Sequence, residues 1–167
     1  LQYFATPLVR ASVMRKFCAL LSISESEFAN YFDICDLKDG EWNDIMGLEV
    51  KPTMSPHPVE TTVFNFRVLW EGGYRTYAHL ADVASFKVLE SMVTADASAP
   101  GLTAARVKAT KKAYLEPTDL KKIDIGGGMI HGSANDFATD PTPRLLLAHI
   151  SRDLTQSERR IGSGAPF

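Results

Sequence analysis

The chain has 167 residues, of which 45% are hydrophobic and 23% are charged, as expected for a globular protein rather than a disordered or fibrous one. A formal net charge of -2 gives no strong signal for nucleic-acid binding. The two cysteines, Cys18 and Cys35, form no Cys-x-x-Cys pair, which excludes a disulfide framework and favours a reducing, cytoplasmic location. Apolar runs stay shorter than the roughly 18–20 residues that a membrane span needs, so we expect no membrane segment.

The first part of the chain is predicted to be mainly helical. Apolar residues recur at helical spacing over Pro7–Leu21, and Thr6 supplies an N-cap before the proline. A second helix is predicted over Ser24–Phe32, because its first residue and Glu27 have the spacing of a capping box. The stretch Gly47–Pro52 is predicted to be a strand entered through a turn.

The strongest strand signal lies in the middle of the chain. The segment Thr61–Trp70 is rich in β-branched and aromatic residues, with apolar residues alternating with polar ones. The sequence Glu71–Gly73 predicts a hairpin turn, so Tyr74–Leu80 is expected to return as the partner strand.

Helices and strands alternate in the remainder of the chain. Helices are predicted over Ser85–Thr94 and Thr103–Leu115. The short apolar runs Lys122–Ile125 and Arg144–Ala148 are predicted to be buried strands that lead into polar loops. This alternation predicts an α/β fold with a mixed sheet.

Three histidines and one aspartate lie at the ends of predicted strands. His57 lies in the loop that enters the Thr61–Trp70 strand, and Asp82 follows the end of the next strand. His131 follows a glycine loop, and His149 comes directly after the last apolar run. Loops at one edge of an α/β sheet converge, and imidazole with carboxylate suits zinc, manganese or iron. His79 should point to the opposite side of its strand from Ala78 and Leu80, so it is interpreted as structural or as a residue that supports the ligands without binding the metal.

The segments around these residues resemble the metallo-β-lactamase-fold hydrolases, and within them the branch containing ribonuclease Z and related phosphodiesterases. The resemblance covers four elements in the family's order and rough spacing, from about residue 44 to residue 155. The four elements are HPVETTVFNFRV at 57–68, YAHLAD at 77–82, the strand and loop from Asp124 to His131, and LLLAHIS at 145–151.

The resemblance implies a role for each candidate residue. His57, Asp82 and His149 would be metal ligands, with zinc the first candidate and manganese or iron the alternatives. His131 would contact the substrate phosphate or donate a proton to the leaving oxygen. The activity implied is metal-dependent hydrolysis, with a phosphodiester as the first substrate class and a thioester or lactam behind it.

The motif HxHxDH, which supplies ligands to both metals in this family, is missing from the sequence. The resemblance therefore implies that residues 1–155 are the C-terminal portion of such a domain, half of an αββα sandwich with helices on one face. Residues 156–167 are expected to form a charged helix start, capped by Thr155, and a linker. We expect the chain alone to be inactive, and its apolar inner face to pair with a second copy or with a missing N-terminal segment.

Two other functions stay open at this stage. One is a degenerate, non-catalytic module of the same fold that acts as a sensor or assembly surface. The other is a free-standing nucleotide-binding domain that uses Gly126–Gly128 as a phosphate loop. The sequence contains neither GxxxxGK[ST] nor GxGxxG, so a strand-to-loop bend that carries His131 to the sheet edge is the preferred interpretation of the glycines.

Overall fold

A computed structural model describes residues 1–126 and 130–164 of the chain. In these residues, two parallel strands form a small N-terminal sheet and seven strands form a main sheet in the order β3-β4-β5-β6-β7-β8-β9. The elements in chain order are β1 (Gln2–Ala5), α1 (Pro7–Leu21), α2 (Glu25–Phe28), β2 (Asp33–Asp36), β3 (Asn43–Ile45), β4 (Leu48–Ser55), β5 (Thr61–Trp70), β6 (Gly73–His79), α3 (Phe86–Ser91), α4 (Ala104–Tyr114), β7 (Leu120–Asp124), a 3₁₀ turn (Ala134–Phe137), β8 (Leu145–Ala148), α5 (Gln156–Ile161) and β9 (Ser163–Gly164).

The main sheet is antiparallel in its first half and parallel in its second. Strands β3 to β6 form antiparallel pairs, whereas β6, β7, β8 and β9 run parallel to one another. The end of β4, the start of β5 and the carboxyl ends of β6, β7 and β8 therefore lie at the same edge of the sheet. This edge carries the polar residues singled out from the sequence.

One face of the sheet packs against α3 and α4 and forms the hydrophobic core. Strand residues Val63, Ile123 and Leu147 meet Leu89 of α3 and Tyr114 of α4, and each of the five is at most 1% exposed. The hydroxyls of Tyr114 and Ser55 are hydrogen-bonded at 2.6 Å, which fixes α4 across β4. Burial of this apolar surface is the main stabilising contribution to the domain.

The opposite face of the sheet is covered less completely. A ladder of rings, Phe64, Phe66, Tyr77 and His79, runs across β5 and β6 with centroid separations of 5.8 to 6.2 Å. All four side chains are only partly buried. The sheet therefore has one face sealed by helices and one face with accessible aromatic surface.

Most of the predicted elements are present, with differences at their ends. The helix over Pro7–Leu21 and the strand over Thr61–Trp70 have the predicted bounds. The second helix has the predicted capping box but stops at Phe28, four residues early. Ser163 and Gly164, predicted to be linker, instead pair with β8. Both cysteines are free thiols, and none of the described helices has the length and apolar character that a bilayer crossing requires.

Strands β1, β2 and β3 were not predicted, because each has only three or four residues and lacks a clear alternating pattern. Hydrogen bonds between neighbouring segments, rather than local sequence preference, specify these short strands. The pairing of β1 with β2 also joins segments 31 residues apart. Such a contact is not visible in a local sequence window.

A completely buried ion pair, Lys121 with Asp140, ties β7 to the loop before β8. Burial lowers the pKa of Lys121, and the hydrogen bond from Lys121 to Asp140 opposes that shift.

Asp140→Asn should lower the free energy of unfolding by about 3–5 kcal/mol, because it leaves the ammonium group without its counter-charge. The double variant Lys121→Met/Asp140→Leu should be less destabilised, and urea unfolding measures both.

Glu90→Gln is the matched control for this test, because Lys111 and Glu90 form an ion pair on the exposed surface. It should change the free energy of unfolding by at most about 1 kcal/mol. An Asp140→Asn variant as stable as this control would show that the buried pair carries no charge.

Candidate metal centre

The ends of β6, β7 and β8 bring three acidic or imidazole side chains to one edge of the sheet. Asp124 is the last residue of β7, and His149 directly follows β8. Asp82 lies three residues beyond the end of β6. This placement follows from the parallel order of the three strands, since their carboxyl ends meet at one edge.

Two loops complete the cluster at this edge. His57 lies in the five-residue connection between β4 and β5, next to the carboxyl end of β6. His131 forms an isolated antiparallel bridge with Ala84. The loop of His131 is further held by hydrogen bonds from the amide of Ser85 to the carbonyl of Ile130, at 3.1 Å, and from the amide of Phe86 to Asp136, also at 3.1 Å.

The centre of the cluster is the carboxylate of Asp124, which is 0% exposed. Its Oδ2 lies 2.9 Å from Nδ1 of His131, and its Oδ1 lies 3.1 Å from Nδ1 of His149. The amide of Gly126 donates a 2.7 Å hydrogen bond to Oδ1. One oxygen of Asp124 and one nitrogen of each histidine lie within 4.8 Å of one another, so these three residues form a group that could hold a metal ion.

The other two predicted residues lie beside this group. Oδ1 of Asp82 is 3.4 Å from Nδ1 of His149, and both side chains are about half exposed. The ring of His57 is 5.9 Å from that of His131, which is itself 4.7 Å from the ring of His149. The structure thus gathers His57, Asp82, His131 and His149 at one site, as the strand-end argument predicted. Their individual roles stay predictions.

Nε2 of His57 is buried and, among the residues that the structure describes, has no hydrogen-bond partner. A buried imidazole nitrogen without a partner costs free energy, because it has lost its interaction with water. A metal ion or a substrate group would satisfy such an atom. His57 also borders a cavity of about 330 Å³ between α1 and the end of β4, whose other lining residues include Leu8, Val9, Met54 and Glu60.

The backbone at the site is held in uncommon conformations. His149 has φ 64° and Ala81, which precedes Asp82, has φ 22°, both in the region that favours glycine. Strained residues of this kind cluster at functional sites, where the surrounding structure holds them. Gly126 is needed for a different reason: a Cβ there would lie 3.0 Å from Oδ1 of Asp124 and 3.2 Å from Nδ1 of His149.

Sequence reasoning missed Asp124, the best-buried polar residue of the site. The sequence pattern predicts only an apolar strand there, and the neighbours Ile123 and Ile125 are indeed buried. The available signal was a carboxylate inside a strand expected to be buried, because such a group needs charged or hydrogen-bonding partners. Gly127 and Gly128, from the predicted glycine loop, lie outside the described residues.

His79, interpreted as structural, lies next to the site and donates to or accepts from the hydroxyl of Tyr77 at 3.1 Å. Burial lowers the pKa of His79, Lys122 lowers it further, and Asp82 opposes the shift. Its folded-state pKa is therefore below the unfolded value of about 6.5. The free energy of unfolding therefore has its full contribution from neutral His79 above the unfolded-state pKa of about 6.5. It loses this contribution as the pH falls through the lower, folded-state pKa.

His79→Gln should accordingly make stability less dependent on pH. Between about pH 8 and about pH 5, the urea midpoint of the unmodified chain should fall further than that of the variant. Equal falls in the two proteins would mean that His79 takes up its proton as easily in the folded state as in the unfolded state.

Solved structures that are similar to this chain include the following three. The metallo-beta-lactamase fold protein YhfI from Bacillus subtilis has a TM-score of 0.50 and 13% identity, over 78% of this chain and 47% of that chain. A metallo-beta-lactamase superfamily protein from Thermotoga maritima has a TM-score of 0.45 and 15% identity, over 76% and 55% of the two chains. The subclass B3 metallo-beta-lactamase MEM-A1, from a soil metagenome library, has a TM-score of 0.33 and 15% identity, over 70% and 35%.

No protein-family model matches the sequence, and no curated protein matches it either. The likeness to the first structure shows the fold: an α/β protein with a mixed sheet that corresponds to part of the metallo-β-lactamase fold. The predicted fold class is therefore confirmed. The chain spans about half the length of the first two solved structures above.

Proposed function

We propose that this chain is the metal-holding C-terminal part of a metal-dependent hydrolase with the metallo-β-lactamase fold. The observation that carries the proposal is the cluster around Asp124, in which one oxygen and two imidazole nitrogens lie within 4.8 Å of one another. His57 and Asp82 border the same cluster. On the sequence resemblance we propose His57, Asp82 and His149 as the metal ligands, with Asp124 and His131 as further donors beside His149. Zinc is the first candidate, and manganese or iron are the alternatives.

The residues present fit a metal ion on three grounds. Imidazole nitrogens and carboxylate oxygens are the donors that zinc, manganese and iron share. The buried Nε2 of His57 has no partner among the described residues. A glycine at 126 keeps the space beside Asp124, His131 and His149 free of side-chain atoms.

A bound ion would supply Lewis acidity, which lowers the pKa of a coordinated water and polarises the bond to be cleaved. The chain's own residues have complementary tasks. We propose that His131, whose Nδ1 contacts Asp124 and whose side chain is about three-quarters buried, donates a proton to the leaving oxygen. The backbone bridge of His131 with Ala84 helps to keep this ring in position, which reduces the entropy lost when the substrate is oriented.

The substrate class that we propose is a phosphodiester, with a thioester or lactam as the second choice. Support for the ribonuclease Z-like branch comes from the four sequence segments alone. The cavity beside His57 has room for the apolar part of a small substrate, because Leu8, Val9 and Met54 line it. The anionic part would then lie at the histidine cluster.

The partner that we propose covers the sheet face opposite the helices. Phe64, Phe66 and Tyr77 on that face are only partly buried, and an apolar surface of this kind favours association. Either a second copy of the chain or an N-terminal segment of the same domain would cover it. In the second case the segment would also carry the HxHxDH ligands that this sequence lacks.

The second candidate function is a non-catalytic module of the same fold. The missing HxHxDH motif favours it, because this chain alone cannot complete a two-metal site. Metal binding by the proposed ligands distinguishes the two candidates.

Zinc binding to the 167-residue chain tests the proposal directly. The unmodified chain should bind one zinc ion, and His57→Ala, Asp82→Ala and His149→Ala should each weaken binding at least tenfold, measured by competition with a chromogenic chelator. His79→Gln is the matched control, because it removes a neighbouring imidazole that is not a proposed ligand. Affinity that is unchanged in all three ligand variants would favour the non-catalytic module.

Gly126→Ala tests the space beside the cluster. The added Cβ would lie 3.0 Å from Oδ1 of Asp124 and 3.1 Å from Cγ of His131, so these groups must shift. We expect zinc affinity to fall about 10–100-fold, as for other changes next to metal ligands. Gly73→Ala is the control, because a Cβ there meets no atom within 4 Å. Equal affinities in the two variants would contradict the proposed place of the ion.

A further inference from the structure

We infer that the cavity beside His57 binds an alkylammonium group, so that the substrate of the metal centre is a phosphodiester with an amine on one of its ester groups. Asp39 and Glu60, which line the cavity, would be the specificity-determining residues. The inference rests on the proposed function for the phosphodiester. The preference of the cavity for a positive charge can be measured without any metal.

The cavity adjoins the candidate metal centre. It lies between α1 and the end of β4, and its volume of about 330 Å³ falls in the range of small-molecule sites. The two sites share His57, whose ring lies 5.9 Å from that of His131. A group attached to a phosphate at the histidine cluster would therefore extend past His57 into the cavity.

The walls of the cavity combine apolar side chains with two carboxylates. Leu8, Val9 and Met54 supply apolar surface, and Asp39 and Glu60 supply negative charge. None of the described lining residues is a lysine or an arginine. An alkyl chain that ends in a positive charge matches both kinds of wall, because the chain contacts the apolar residues while the charge meets the carboxylates.

Neither carboxylate is neutralised by a basic side chain. Oε2 of Glu60 accepts a 3.2 Å hydrogen bond from the hydroxyl of Ser12, and Oδ1 of Asp39 accepts a 2.9 Å hydrogen bond from the amide of Met54. Both donors are uncharged. In the described part of the chain, neither carboxylate belongs to an ion pair. A ligand is therefore the available source of positive charge for them.

The N-terminus of α1 also borders the cavity but does not reverse its charge. Thr6, the N-cap, makes no side-chain capping bond, and Pro7 has no amide hydrogen to donate. A helix N-terminus is equivalent to about half of a positive charge, whereas Asp39 and Glu60 each carry a full negative charge. The cavity is thus negative overall, which favours a cation over the anionic part of the substrate.

An organic cation suits these groups better than a metal ion. In the described residues, the group with the spacing of metal ligands is the one centred on Asp124, and it includes neither Asp39 nor Glu60. Thr6 and Thr61 line the cavity as well, so hydroxyl oxygens add to the carboxylate acceptors. An alkylammonium group has three N–H donors, and such oxygens are the acceptors that it needs.

Titration of the ¹⁵N-labelled, metal-free chain with n-butylammonium and with n-butanol tests the inference. The two probes have nearly the same shape and differ in charge at about pH 7, where an alkylamine is protonated. We expect chemical-shift changes at cavity amides such as those of Leu8 and Thr61. Butylammonium should bind at least about threefold more tightly, because it gains two partly exposed charge interactions. Equal or tighter binding of butanol overturns the inference, and so does the absence of shifts at the cavity with both probes.

Variants of the two carboxylates assign the preference to them. Glu60→Gln and Asp39→Asn should each reduce the preference for butylammonium about twofold, because each removes one charge and keeps the shape of the side chain. Glu71→Gln is the matched control, since Glu71 lies in the turn between β5 and β6 and does not line the cavity. An unchanged preference in the double variant Asp39→Asn/Glu60→Gln overturns the inference. The probe comparison on the unmodified chain does not depend on the variants folding.

Binding of alkyl phosphates to the zinc-loaded chain tests the link between the cavity and the metal centre. A series of ω-aminoalkyl phosphates of increasing length is compared with unsubstituted alkyl phosphates of matched length. At least one amine-bearing member should bind about threefold more tightly than its match, and Glu60→Gln should reduce that difference. A series without such a difference overturns the inference. If zinc does not bind, the proposed function fails while the butylammonium titration still decides the specificity of the cavity.

Discussion

The candidate site depends on one electrostatic constraint, the burial of the Asp124 carboxylate. A carboxyl group removed from water needs hydrogen-bond partners in the protein, and Asp124 has them in the amide of Gly126 and the rings of His131 and His149. These contacts join the end of β7 to the end of β8 and to the loop after β7. The electrostatic requirement of one buried group thus sets the positions of two histidines that are far apart in sequence.

The sheet topology makes this arrangement possible. Because β6, β7 and β8 are parallel, Asp82, Asp124 and His149 leave the sheet at the same edge. The antiparallel pairing of β5 with β6 brings the β4–β5 loop, and with it His57, to that edge as well. Helices α3 and α4 seal the other face of the sheet, so the hydrophobic core and the polar cluster occupy different parts of the molecule.

Much of the fold and of the site could be predicted from the sequence, and the failures have physical reasons. Segments with strong local signals, such as Thr61–Trp70 and the cap at Thr155, occur where they were predicted. The short β1–β2 sheet depends on pairing between distant segments, which local patterns do not encode. The strand-end argument identified four residues that cluster, because the order of strands along the chain already implies a shared edge. It missed Asp124, because one polar residue between Ile123 and Ile125 hardly changes the pattern of a buried strand.

The alternation of side chains along β7 has a consequence for folding. Lys121 points into the helix-covered core and pairs with Asp140, whereas Asp124 joins the histidines at the sheet edge. If β7 slipped by one residue against its neighbours, every side chain would change face, and both buried charges would lose their partners at once. Two polar contacts on opposite faces of a five-residue strand therefore add to the penalty that its apolar side chains place on misregistered pairing. The same polar groups that form the cluster at the sheet edge thus favour the correct alignment of the central strands.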